Sequence, residues 1–123
     1  MKQQNVMYFT EKEEEFVNLL IKIDTPKNVA KMLVFLANTS EATSRDIERG
    51  TDLRQPEVSI AIKYLVKQGW IKNRESRTEK LGRPLRYYSL RVPVKQIIET
   101  IEKAKKNNIE SQLVLVGKMK DYL

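Results

Sequence analysis

Residues 53–65 read Leu53-Arg54-Gln55-Pro56-Glu57-Val58-Ser59-Ile60-Ala61-Ile62-Lys63-Tyr64-Leu65. Pro56 suits the first turn of a helix, where a missing N–H costs nothing. From there Val58, Ala61, Ile62 and Leu65 recur at helical spacing and form one apolar stripe. The opposite face is left with Gln55, Glu57, Ser59, Ile60, Lys63 and Lys67. The spacing predicts a helix over about 54–68, closed by Gly69 as C-cap. A helix with an apolar back and a face of Gln, Ser and Lys near its N-terminus has the size and chemistry to enter a DNA major groove, about 12 Å wide.

On the N-terminal side, Thr43 with Asp46 three residues later marks the start of a short helix, which Gly50 is expected to stop. Thr51-Asp52-Leu53 is then a tight connection, too short to let the two helices pack independently, so they must cross at a fixed angle. Further upstream, Thr25-Pro26 opens a helix with Thr25 as N-cap and Pro26 at the first helical position. Val29, Met32, Leu33, Phe35 and Leu36 supply its apolar face, which ends near Asn38-Thr39-Ser40. Thr10 and Glu13 form a capping box for a helix over 10–23, with Phe16, Leu19, Leu20 and Ile23 as its stripe. The acidic group Glu11–Glu15 suits the positive end of that helix better than it suits a catalytic cluster.

Beyond Gly69 the period changes from helix to strand. Trp70-Ile71-Lys72-Asn73-Arg74-Glu75 and Leu85-Arg86-Tyr87-Tyr88-Ser89-Leu90 read as two strands joined by a polar, basic loop ending in Gly82-Arg83-Pro84. Between Lys72 and Arg91 there are seven basic residues against two acidic ones, as required of a hairpin that lies on phosphates. Helical spacing returns over 93–122 through Val94, Ile97, Ile98, Ile101, Ala104, Ile109, Leu113, Val116 and Met119, and is weakest at Asn107-Asn108. The expected fold is therefore mainly α with a small antiparallel β-hairpin: a winged helix-turn-helix at 25–92, flanked by an N-terminal helix (1–24) and a C-terminal helix (93–123), both for dimerisation.

The charge balance locates a partner. The 123 residues carry 23 Lys and Arg against 16 Asp and Glu, a net +7. Residues 45–95 hold thirteen of the basic groups and six of the acids, so the excess lies in the middle of the chain. Such a segment in an otherwise neutral chain is the footprint of a polyanion, although a solvated basic surface would look the same. With zero His and zero Cys, the commonest metal ligand, the side chain that titrates near pH 7, and any disulfide framework are all absent. Together with the lack of a signal peptide or a membrane-length apolar run, this predicts a cytoplasmic protein without enzymatic activity or cofactor.

The run 53–65, Gly69-Trp70-Ile71 and the wing Gly82-Arg83-Pro84-Leu85-Arg86-Tyr87-Tyr88-Ser89-Leu90 resemble MarR/TrmB-type winged-helix regulators, particularly small archaeal ones, over roughly residues 26–91. The resemblance implies DNA contacts from the recognition helix and the wing, at Arg54, Gln55, Glu57, Ser59, Ile60, Lys63, Arg77, Lys80 and Arg83. Arg54 stands where the family usually has Ser or Asp as N-cap, which weakens the helix start but adds a cation.

Several of these residues have a second reading. Ser59 contacts DNA or simply lets helices approach. Ile60 covers a thymine methyl or packs on the first helix. Glu57 accepts from a cytosine amine or favours the positive helix end. Lys63 touches phosphate or is merely solvated. Trp70, Tyr87 and Tyr88 read better as packing at the wing base than as stacking platforms.

The expected function is a sequence-specific, double-stranded-DNA-binding transcription regulator acting as a homodimer through Phe16, Leu20, Ile109, Leu113 and Val116. A small-molecule effector is allowed but not indicated. The competing reading is a winged-helix protein-interaction module of the basal transcription or replication machinery. An enzyme with a carboxylate site would need paired acids, and only scattered ones occur.

Overall fold

The computed structural model describes residues 9–77 and 84–123. The elements run α1 (Glu11–Lys22), α2 (Lys27–Ala37), α3 (Ser44–Thr51), α4 (Gln55–Gln68), β1 (Ile71–Arg77), β2 (Pro84–Leu90) and α5 (Val94–Lys120). The chain divides between Arg91 and Val92 into two compact units.

In the first unit α2 is the hub. It touches α1, α3, α4 and β2, and Val29, Ala30 and Met32 through Leu36 are all buried. A helix apolar nearly all round has to be enclosed, and the other elements form its casing. Ile47 of α3 and Val58 and Leu65 of α4 complete the dry centre. α1 closes one side through Val17 and Leu20 and thus belongs to the same unit as the helix-turn-helix. Leu20 therefore faces its own chain's core, and the apolar residues that α1 leaves exposed are Leu19 and Ile23.

The helix starts follow the capping chemistry. The Glu13 N–H donates to Thr10 Oγ1 and the Thr10 N–H to Glu13 Oε1. Thr43 and Asp46 repeat the exchange at α3. At α2 the expected N-cap moves by one residue: Pro26 occupies it and makes no side-chain cap bond.

Gly50 has a different role from the helix stop expected of it. α3 continues through Thr51, and Asp52 is the C-cap, in the left-handed region at φ 59°. Gly50 lies inside the helix against the Phe35 ring, so close that a Cβ there would sit 2.1 Å from Phe35 Cε1. The missing side chain sets the approach of α3 to α2. The Thr51 hydroxyl donates back to the Ile47 carbonyl and accepts from the Leu53 N–H, so the buried connection to α4 is satisfied. Gly69 is the left-handed C-cap of α4, as its position implied.

β1 and β2 pair antiparallel, with Ile71 opposite Leu90 and Arg77 opposite Pro84. Ala42 exchanges both backbone hydrogen bonds with Tyr88, adding a one-residue third strand to the hairpin. Trp70 and Tyr88 are buried at the hairpin base and serve packing. In the second unit α5 is one uninterrupted helix through Asn107-Asn108, about 40 Å long at 1.5 Å per residue.

Candidate nucleic-acid interface

The stripe Val58, Ala61 and Leu65 is buried, which turns Gln55, Ile60 and Lys63 outward, with Ser59 half-buried between them. At about 100° per residue, Gln55, Ser59, Ile60 and Lys63 fall within an arc of roughly 140°. A face of that width can meet a groove floor while the stripe stays in the core. The Asn28 side chain, at the start of α2, donates to the Glu57 carbonyl and ties the first turn of α4 to the hub.

Within this face two pairings sort the residues. The Glu57 carboxylate accepts the Arg54 N–H at 2.9 Å. Glu57 thus supplies half of a capping box and offsets the non-standard N-cap. Arg54 remains exposed, with extended backbone angles just ahead of the helix. Gln55 Nε2 donates to Ser59 Oγ at 2.9 Å, one turn further along the outward face. Ile60 is 61% exposed, so it does not pack on α1.

The hairpin carries less available charge than its composition implies. Arg74 makes a two-pronged ion pair with Glu41, in the segment between α2 and α3. It also lies over the ring of Tyr87, its partner in register, at 4.5 Å from the centroid. The hydrogen bond from Arg74 holds the Glu41 carboxyl below its ordinary value, and the same bond raises Arg74. On the other face Arg86 binds Glu75, directly opposite, at 2.7 Å, which raises its pKa. Arg74 and Arg86 therefore shape the hairpin. Lys72 and Arg77 are exposed along β1. Lys80 and Arg83 lie outside the described residues.

Glu41 and Arg74 were not singled out from sequence. They are 33 residues apart in the chain, and no spacing rule pairs residues across such a gap. Only the ladder that brings Ala42 to Tyr88 makes them neighbours.

A MarR family model matches residues 24–80, the span from the end of α1 through β1. Over that span, just under half of the chain, α2 to α4 and the first strand of the hairpin are similar to a MarR-type winged helix. Among solved structures, a possible transcriptional regulator from Methanosarcina mazei superposes with a TM-score of 0.60 at 14% identity, covering 89% of this chain and 96% of that one. A MarR family regulator from Neisseria meningitidis gives a TM-score of 0.51 at 18% identity, covering 88% and 84%. At such identities the likeness establishes the fold. No curated protein matches the chain. Among the described residues, no helix is long and apolar enough to cross a membrane and no group of acids could hold a metal ion.

Proposed function

We propose that the chain is a sequence-specific, double-stranded-DNA-binding transcription regulator that acts as a homodimer in the cytoplasm. The observation that carries this reading is the outward face of α4. It is polar and cationic through Gln55, Ser59 and Lys63, and it is anchored to the hub by its own apolar stripe and by Asn28. In this arrangement α4 enters the major groove. Arg54 and Lys63 lie near the phosphates that flank it, and the hairpin residues Arg77, Lys80 and Arg83 lie on the adjacent backbone. A protein-interaction module would favour an acidic or mainly apolar face on this helix, whereas here Gln55, Ser59 and Lys63 surround a single exposed Ile60.

The dimer is supported by α5, which exposes Ile109, Leu113 and Val116 at i, i+4 and i+7. Three large apolar side chains on one stripe form a patch that an isologous contact between two copies would cover. On α1, Phe16 is half-buried and Leu19 and Ile23 are exposed, whereas Leu20 is turned into the core of its own unit and is not available to a partner. Two copies reading one palindromic site would need their α4 helices about 34 Å apart, one DNA turn. The test is in vitro selection from a double-stranded random library. A recovered palindrome with half-sites about 10 bp apart supports the reading, and the absence of any bound DNA refutes it.

A further inference from the structure

Every polar side chain at the front of α4 has a defined partner or a defined exposure, and the combination restricts which base pair the helix can read. Resting on the DNA-binding reading above, we infer that Gln55, held by Ser59, selects an adenine in the major groove, and that Ile60 takes a thymine methyl beside it.

A glutamine amide has two N–H donors and a carbonyl with two lone pairs. One donor is occupied by Ser59 Oγ at 2.9 Å. What remains is one N–H and one C=O, side by side on an exposed side chain. Adenine presents the complement, the N7 acceptor and the N6 amine donor. Guanine presents two acceptors, N7 and O6, so the carbonyl of Gln55 would face O6 with no proton between them. The serine hydroxyl can accept or donate, so exchanging the amide's oxygen and nitrogen leaves the same donor and acceptor outward. Tethered one turn below, Gln55 has fewer rotamers to lose on docking.

Two neighbours reinforce the selection. Glu57, which could accept from a cytosine amine, has one carboxylate oxygen on the Arg54 N–H and lies outside the arc of Gln55, Ser59, Ile60 and Lys63. Ile60 is a large apolar side chain at 61% exposure on a helix that has a complete core stripe without it. Its surface suits the one apolar group on the groove floor, the thymine methyl. The donor-acceptor pair, an acid held off the reading arc and the apolar knob all favour A·T over G·C at the centre of the contact.

The experiment uses the full chain and the site enriched from a random double-stranded library. Each adenine in turn is replaced by 7-deazaadenine, which lacks the N7 acceptor, and each thymine by uracil, which lacks the methyl. For the wild type, one adenine position should be sensitive by about 5- to 100-fold, and a nearby thymine by about fourfold, the worth of one buried methyl. Gln55→Ala should abolish the first sensitivity and keep the second; Ile60→Ala should do the reverse. Ser59→Ala should reduce the adenine discrimination about two- to fivefold, and Ser59→Thr, which keeps a hydroxyl, should restore it.

The inference is overturned if no adenine is sensitive, or if Gln55→Ala leaves that sensitivity in place. Tight binding with no sequence preference overturns it as well, while leaving DNA binding intact. Failure to bind any DNA removes the DNA-binding reading itself, and the inference with it.

Discussion

Replacing Gly50 by Ala separates two roles for that residue. As a glycine at or near an exposed helix end, its replacement would stabilise the helix by about 1 kcal/mol through propensity. In the structure the new Cβ would lie 2.1, 2.7 and 2.8 Å from Cε1, Cδ1 and Cζ of Phe35. Ordinary carbon contacts begin near 3.5 Å, so the shortfall at Cε1 is about 1.4 Å. Phe35 is 7% exposed and has little room to retreat. Overpacking of this kind costs about 1–3 kcal/mol, and with three ring atoms encroached upon, the upper end applies. After the propensity gain, the net loss is about 2 kcal/mol, or roughly 8 °C in Tm for a chain of this length. Urea unfolding followed by far-UV circular dichroism reads it directly. Combining Gly50→Ala with Phe35→Leu, which removes the encroached ring, should be less destabilising than the sum of the single changes, with a coupling of about 1–2 kcal/mol. A Gly50→Ala protein more stable than wild type would refute the close-approach argument, since alanine would then bring only its propensity gain.

Other consequences follow from the caps, the wing and the exposed stripe. Asp52→Gly should stabilise the fold by about 0.5–1 kcal/mol in the same unfolding assay, because Asp52 holds a left-handed φ of 59° that glycine adopts without strain. The Glu41 carboxyl should titrate below its ordinary range by NMR, and Arg74→Ala should bring it back up. Because the folded-state pKa is the depressed one, whatever the pair contributes is present above the ordinary carboxylate range and is lost as pH falls through the lowered value. Leu113→Glu with Val116→Glu should shift the protein from dimer to monomer in sedimentation equilibrium at micromolar concentration, and a wild-type monomer there would discard the dimer. Arg77→Ala should weaken binding to most DNA sequences alike, whereas Gln55→Ala should relax preference at one position, which parallel titrations against matched and mismatched sites distinguish.

The helices were legible because each carries its own start signal and stripe. Thr10 with Glu13 and Thr43 with Asp46 satisfy orphan amides within four residues, and such local chemistry does not depend on the rest of the fold. Gly69 was legible for the same reason. Gly50 was not: a glycine near a helix end looks like a stop, and only the Phe35 ring on another helix reveals a packing role. Leu20 shows a similar limit. Helical spacing groups Phe16, Leu19, Leu20 and Ile23 as one stripe, but which of its edges faces the core depends on where α2 lies. On the outward face of α4 the residue types are readable from sequence, while the bonds of Glu57 to the Arg54 N–H and of Gln55 to Ser59 are visible only in the folded helix. The pairing of charges in the hairpin was the least legible part. The basic count is real, but Glu41, supplied from outside the hairpin, and Glu75, across the ladder, hold two of the arginines.

In the proposed function α4 and the hairpin bind DNA by neutralising phosphates around a polar reading face. Its most direct test is the salt dependence of the equilibrium constant for a double-stranded site, measured by fluorescence anisotropy from low to moderate salt. Each phosphate neutralised should contribute about 0.9 to the slope of log K against log salt. With about 6–10 phosphate contacts per dimer, the expected slope is roughly −5 to −9. A slope near zero, or binding too weak to measure even at low salt, would contradict the account.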